Sequence, residues 1–311
     1  MTRRTHREYH PMTLPNFLIV GAAKSGTTSL YRYMEQHPGV FFPPVKEPCY
    51  FSDGLPEVAF SDSEYERLFE GAGGRKAVGE ASTAYLSAPE APARIKRLLG
   101  DIRIIIILRN PADMVYSLWG HNVYQQGEER LSFEEALEAE DDRMRSEEFR
   151  AGCRSYYGNF FYFHRGLYHE QVKRYIGTFG RKNVHVMVFE EFVKEPARHC
   201  REVFGFLGID QGFAPALDRH NVATTFRYGF LHRLLVTPPG FAVRAYNALP
   251  LRLRIWIYMA ARMVYGINIT SEPRPAIDPA LRKELAGRYM DDIRRLEGLI
   301  GRELSIWYGG G

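Results

Sequence analysis

The sequence is poor in cysteine, with only Cys49, Cys153 and Cys200 among 311 residues. They are odd in number, widely spaced and match neither a metal-ligand pattern nor a disulfide framework, which points to a reducing compartment. A long apolar run is also missing. The opening M-T-R-R-T-H-R-E-Y-H-P has no apolar core for a signal peptide and no spanning segment follows, so the expectation is a cytoplasmic protein, neither secreted nor membrane-anchored. A formal charge of +4 and a pI near 8.8 suit an anionic ligand but fall short of the concentrated basic surface of a nucleic-acid binder. No nucleic-acid partner is expected. Internal repeats and low-complexity tracts are absent, and the length suffices for a full α/β core in one large domain.

What is present is organised around Asn16 to Ser29, N-F-L-I-V-G-A-A-K-S-G-T-T-S. Phe17 to Val20 reads as a buried strand, Gly21 and Gly26 bracket a tight loop, and Leu30, Tyr31 and Met34 carry helical spacing from Thr27 to His37. A loop that opens a helix N-terminus offers free amides and the positive dipole end, here with Lys24, Ser25, Thr27 and Thr28 as further donors, so its guest is an anion and phosphate is the default. The nucleotide triphosphatase loop G-x-x-x-x-G-K-[ST] places lysine after the second glycine, whereas Lys24 lies inside this loop and Thr27 holds that slot. A magnesium-dependent hydrolase also wants a carboxylate ending a later buried strand. The strongest such run, Ile102 to Leu108, ends in Arg109, which argues for anion binding without metal.

Strand and helix signals then alternate. Val40 to Phe42 reads as a short strand stopped by Pro43-Pro44, and Lys46-Glu47-Pro48 follows in a rigid loop expected beside the cradle. Further strands are expected at Lys76 to Glu80, Ile102 to Leu108 and Val184 to Phe189. Helices are expected at 61–69, 89–99, from Pro111 to about Tyr124, at 167–179 and 196–207, and at 278–299. Glu128 to Arg150 is charge-rich and reads as a solvated helix. The alternation implies an α/β, P-loop-type three-layer fold with a central parallel sheet. Residues 1–14 read as a loose lead-in to a domain over 15–311, with a helical C-terminal annex at about 230–270. That annex mixes arginine with aromatic and aliphatic residues, as in L-R-L-R-I-W-I-Y-M-A-A-R-M-V-Y, too charged for a comfortable membrane span. Three readings stay open for it: peripheral membrane contact, a wall for an apolar acceptor, or helices packed on the domain with snorkelling arginines.

Four stretches together resemble sulfotransferases that use 3′-phosphoadenosine 5′-phosphosulfate. They are the G-A-A-K-S-G-T-T-S loop within Pro15 to Ser29, K-E-P-C-Y-F at Lys46 to Phe51, I-L-R-N-P-A-D-M-V-Y-S at Ile107 to Ser117, and L-I-G-R-E-L-S-I-W at Leu299 to Trp307. The likeness covers nearly the whole chain and is to the bacterial branch that looks like the sulfotransferase domains of heparan sulfate biosynthesis. It implies that Ala23, Lys24, Ser25, Gly26, Thr27, Thr28 and Ser29 hold the donor's 5′-phosphosulfate, with Lys24 at the oxygen where charge develops. Arg109 and Ser117 would hold the 3′-phosphate, a guanidinium fork plus a hydroxyl. Glu47 is the candidate general base, and His121, four residues past Ser117, assists or replaces it.

The same resemblance implies PAP, the 3′,5′-bisphosphate, as product, no metal, and an acceptor hydroxyl on a carbohydrate, glycolipid or natural product. Lys46, Tyr85 and Tyr168 are acceptor-side candidates, the last within R-G-L-Y at Arg165 to Tyr168. In G-E-A-S-T-A-Y, Ala81 stands where heparan-type members often carry lysine, which implies a different acceptor. Their Lys-Gly-Arg loop over the nucleotide is missing too, and H-N-V-A-T-T-F-R at His220 to Arg227 is the candidate substitute, with Arg227 as the ligand. Two rivals remain, a P-loop kinase-like phosphotransferase and a nucleotide-binding module without catalysis. The sequence sets no oligomeric state.

Overall fold

The structure, a computed structural model, describes residues 14–53, 60–153, 156–217, 225–226, 235, 238–270 and 275–308. Five strands form its centre: β1 (Phe17–Gly21), β2 (Val40–Phe41), β3 (Ala77–Ala81), β4 (Arg103–Leu108) and β5 (Val184–Val188). All pair in parallel, in the order β2-β3-β1-β4-β5. Each lies within a residue or two of its expected position, because β-branched and aromatic runs such as R-I-I-I-I-L suit a strand covered on both faces.

The period of two along each strand divides the core into two layers. Leu18, Val20, Val78, Ile104 and Ile106 face one apolar cluster, while Phe17, Ile19, Ile105, Ile107 and Met187 face the other. The first is covered by α3 (Ala91–Leu99), α4 (Pro111–His121), α9 (Tyr168–Phe179) and the long C-terminal α14 (Pro279–Ile300). The second is covered by α1 (Thr27–Glu35), the short α10 (Phe189–Phe192) and α11 (Pro196–Phe206). This is the expected three-layer α/β fold.

The starts of these helices were written locally. Ser61 makes a reciprocal capping box with Glu64 at the start of α2 (Asp62–Arg67). Asn110 and Asp278 cap α4 and α14, each followed by proline at the first helical position. After α4 the chain widens into a π-helical turn, Asn122–Gln126.

Three expectations need correction. Glu128 to Arg150 is not one solvated helix but the short helices α5 (Phe133–Glu138), α6 (Glu140–Arg145) and α7 (Glu147–Gly152). The reason is two buried carboxylates: Glu129 is paired with Arg143 at 2.7 Å and accepts from Tyr162 at 2.9 Å, and Glu140 accepts from the Phe163 amide at 2.7 Å. These anchors pull a charge-rich segment onto α8 (Tyr162–Gly166). Strand structure also returns late, where Thr225–Phe226 pairs antiparallel with Ile269–Thr270. Within the annex, α12 (Gly240–Asn247) and α13 (Leu251–Asn268) are helices, yet Arg254 is buried rather than snorkelling, bonded to Glu64 at 2.7 Å. Residues 1–13, and Arg227 with most of the segment around it, lie outside the described residues.

Candidate active site

The strand order reverses direction at β1, which has β3 on one side and β4 on the other. In an open parallel sheet the crevice at such a switch point, past the strands' C-terminal ends, is where ligands bind. The glycine loop leaves β1 at that place. Its Ala22 amide donates to the Ile107 carbonyl at 2.7 Å, tying the loop to β4. The buried Ser25 hydroxyl donates to the Ala23 carbonyl at 3.1 Å and so locks the turn from inside. Gly26 takes a left-handed conformation with φ of 84°, and a Cβ there would stand 2.9 Å from the Phe189 ring. No side chain caps α1, so its first-turn amides and dipole face the loop, with Thr28 and Ser29 half-buried beside them.

Arg109 closes the other side of the crevice. Its Nη1 donates to the Lys24 carbonyl at 3.2 Å, and its guanidinium lies 5.0 Å from the centre of the Phe189 ring. Among the described residues no carboxylate pairs with it. Ser117 lies two turns along α4 and is half-buried. The Asn110 amide donates to Glu190 at 2.8 Å, whose second oxygen accepts from the Trp307 indole at 2.9 Å. The C-terminal L-I-G-R-E-L-S-I-W stretch is therefore a brace beneath the end of β4. Phe189 and Glu190 escaped the sequence reading. Their only signal was position, immediately after β5 on the edge that carries the loops.

Glu47 reaches the same edge from the β3 side. Its amide donates to the Ala81 carbonyl at 3.1 Å, and its carboxylate takes Lys46 Nζ at 2.7 Å and the Thr83 hydroxyl at 3.0 Å. The side chain stays 38% accessible, so it is open to a partner arriving from solvent. Burial opposes its charge, but the Lys46 ammonium, the hydrogen bonds from Lys46 and Thr83, and the His121 ring outweigh this and hold the carboxyl below its ordinary range. His121 ends α4, half-buried and in contact with Gln125, and is near enough for its charge to act on Glu47. Lys24, Glu47 and Cys49 are the non-glycine residues with positive φ among the described residues, at 57°, 59° and 52°. Such backbone costs about 1–3 kcal/mol each and persists only where the surroundings enforce it.

That enforcement comes from below. The Cys49 amide donates to the Ser82 hydroxyl at 3.1 Å, and Ser82 in turn donates to buried Glu80 at 2.8 Å. Tyr85 donates to Glu80 at 2.7 Å and Tyr65 at 3.4 Å. Burial pushes the Glu80 carboxyl up to about 7 despite these bonds. Burial, and then Glu47 and Glu80, lift the Cys49 thiol far above its ordinary range, so it stays neutral. Buried Arg165 donates to Ser87 at 2.7 Å and to the Thr83 carbonyl at 3.3 Å, holding the segment that carries Thr83.

Of the acceptor-side candidates, Lys46 is on this loop beside the crevice, its side chain mostly covered and paired with Glu47. Tyr85 and Tyr168 are not: both are fully buried, Tyr85 under the loop and Tyr168 against Trp307 with ring centres 6.1 Å apart. They form the floor beneath the crevice because their rings complete the apolar cluster on that face. The Glu80 network was likewise not foreseen. A carboxylate inside the G-E-A-S-T-A-Y strand end, with hydroxyls two and five residues on, was its available signal.

An uncapped helix start, a guanidinium that no carboxylate pairs with among the described residues, and a carboxylate held charged on the facing loop form a crevice whose chemistry suits an anion. A family model described as sulfotransferase domain matches residues 14–226. The chain belongs to this family. It is similar to a solved sulfotransferase from Alicyclobacillus acidocaldarius, at 33% identity over 96% of this chain and 100% of that one, with a TM-score of 0.70. It is also similar to the bifunctional heparan sulfate N-deacetylase/N-sulfotransferase 1 of Xenopus laevis, 26% identical over 71% of this chain and 25% of that protein. The membrane-associated sulfotransferase kil1 of Dictyostelium discoideum matches at 30% identity over 36% of this chain and 24% of its own length. The chain thus spans about a quarter of the length of these curated relatives.

Proposed function

We propose that residues 15–311 act as one catalytic unit that moves a sulfuryl group from 3′-phosphoadenosine 5′-phosphosulfate to an acceptor hydroxyl, releasing PAP. The observation that carries this reading is Arg109: a half-buried cation whose partners among the described residues are a carbonyl and a ring, across the switch point from an uncapped helix start. Two anion-seeking elements facing one crevice suit a nucleotide with phosphates at both ends. The donor supplies an activated sulfuryl group on its 5′-phosphate. In this reading the amides and hydroxyls over Ala23 to Ser29 grip the 5′ end, Arg109 and Ser117 the 3′-phosphate, and Arg227 is a further candidate. Lys24 neutralises charge on the leaving oxygen, the kind of fixed electrostatic help that dominates such catalysis.

Glu47 takes the acceptor proton as the new S–O bond forms, with His121 beside it to share or carry that proton onward. Glu47 is suited to this because Lys46 and Thr83 keep it ionised and oriented. A kinase-like reading would put its metal-binding carboxylate at Glu80, in β3 next to β1, but the oxygens of Glu80 are taken by Tyr65, Ser82 and Tyr85 inside the core. This geometry favours sulfuryl over phosphoryl transfer. The heparan sulfate relatives support a carbohydrate acceptor, with glycolipids and hydroxylated natural products as the neighbouring classes. Three free thiols support a reducing, cytoplasmic setting.

The test is calorimetric titration, without metal, of PAP against ADP and ATP. Tight binding of PAP alone is the expected result. Preference for ATP, or a requirement for magnesium, overturns the reading.

A further inference from the structure

Between Arg219 and Ser271 the sequence holds seven arginines and not one aspartate or glutamate. The largest described element of this stretch, α13, has two unlike faces. Its inner face is fastened: Arg254 bonds Glu64 at 2.7 Å and lies 5.4 Å from the Phe60 ring centre, and the Tyr258 hydroxyl donates to the Lys46 carbonyl at 3.2 Å. The outer face is apolar and bare. Trp256, Met263 and Ile267 are 67%, 71% and 75% exposed, and Met259 lies between them at helical spacing. Arg252, also exposed, begins the same stripe one turn before Trp256. On the preceding helix Phe241 is 69% exposed and Arg244 is exposed.

Burying such a face in the core is excluded, since the other face already does that. No described helix is long and apolar enough to cross a membrane. Pairing with a second copy would set two surfaces that carry Arg244 and Arg252, with no aspartate or glutamate from this stretch to meet them, against each other, which like charges oppose. A surface rich in phosphate solves both problems: the apolar side chains enter the acyl boundary, tryptophan sits at the headgroup level, and arginines meet the phosphates.

We propose that the outer face of α13 docks the protein on an anionic lipid bilayer, with the helix lying along the surface. Tyr258 joins that helix to the residue next to Glu47, so docking brings the accessible carboxylate to the membrane, where acceptors carried on lipids are presented. Docking of this kind is read by vesicle binding alone, independently of sulfuryl transfer.

The experiment is co-sedimentation of the full chain with vesicles of phosphatidylcholine, with and without phosphatidylglycerol. Binding to the anionic vesicles, weakened by salt, is expected. Replacing Trp256, Met263 and Ile267 together by serine should lower partitioning at least ~10-fold while leaving the circular dichroism and thermal midpoint unchanged. Arg252→Glu, a single exposed change, should lower it several-fold by itself. Absence of binding to anionic vesicles overturns the proposal, as does binding that neither variant weakens. A dimer that the triple variant dissolves, with no vesicle binding, assigns the face to a second copy instead.

Discussion

Arg109→Ala separates ligand binding from scaffold. The side chain gives the fold one hydrogen bond to a carbonyl, at 3.2 Å, and one ring contact at 5.0 Å. Losing them costs roughly 1–2 kcal/mol of stability, which leaves the domain folded. On the ligand side a half-buried guanidinium gripping a phosphate is worth about 2–3 kcal/mol, so the variant should bind PAP roughly 30–150-fold more weakly. The informative control is adenosine 5′-phosphate, which lacks the 3′-phosphate. Calorimetry of both ligands on both proteins forms a cycle, and the 5′-phosphate alone should change affinity by no more than about twofold. Equal losses for the two nucleotides would refute the assignment, showing that Arg109 acts by holding the Lys24 carbonyl and hence the loop. Unchanged PAP affinity would place the 3′-phosphate elsewhere.

Lys24→Ala and Glu47→Gln should each lower turnover about 10²–10³-fold with thermal midpoints near the parent's, read by sulfate transfer and scanning calorimetry; full activity, or an unfolded Glu47→Gln protein, removes that residue from the mechanism. Glu80 makes a stability prediction with a definite sign. Its carboxyl is raised from 4.5 to about 7 in the folded state, so its contribution is complete below pH 4.5 and lost as pH rises through about 7. The loss is on the order of 3 kcal/mol. Denaturant unfolding at a series of pH values should show that decline in the parent and not in Glu80→Gln, and a parallel pH profile in the variant would show that the carboxyl titrates normally.

The sheet was legible because each strand is a short, strongly apolar run bounded by glycine, proline or charge, and helix starts were legible where Ser61, Asn110 and Asp278 write the cap into the sequence. The glycine loop between β1 and α1 was legible too, since glycine spacing is a local fact. What escaped depends on contacts far apart in sequence. Glu190 holds Asn110 and Trp307 across separations of 80 and 117 residues, which no local pattern encodes. Glu129 and Glu140 read as surface charge because nothing nearby announces Arg143 or the Phe163 amide as partners. Tyr85 and Tyr168 carried motif signals that did not distinguish the lining of a crevice from the floor beneath it.

The left-handed backbone at Glu47 and Cys49 links the proposed base to the proposed donor cradle through the sheet itself. A strained loop free to relax would let the carboxylate drift, and a displacement of about 1 Å costs roughly 10² in rate. Here the loop hangs from β3 by the Glu47 amide on Ala81 and the Cys49 amide on Ser82. The Ser82 amide is bonded to the Ile19 carbonyl of β1 at 3.1 Å, and Leu18 lies opposite Glu80 in register. β1 then runs directly into the loop that carries Lys24. Glu47 and the Lys24 loop are thus tied to neighbouring strands whose register is fixed by buried pairing, so the sheet sets their separation. Buried Glu80 makes sense on the same terms: it binds Ser82, Tyr65 and Tyr85 at once, and Ser82 and Tyr85 pass that order to the loop amides of Cys49 and Phe51.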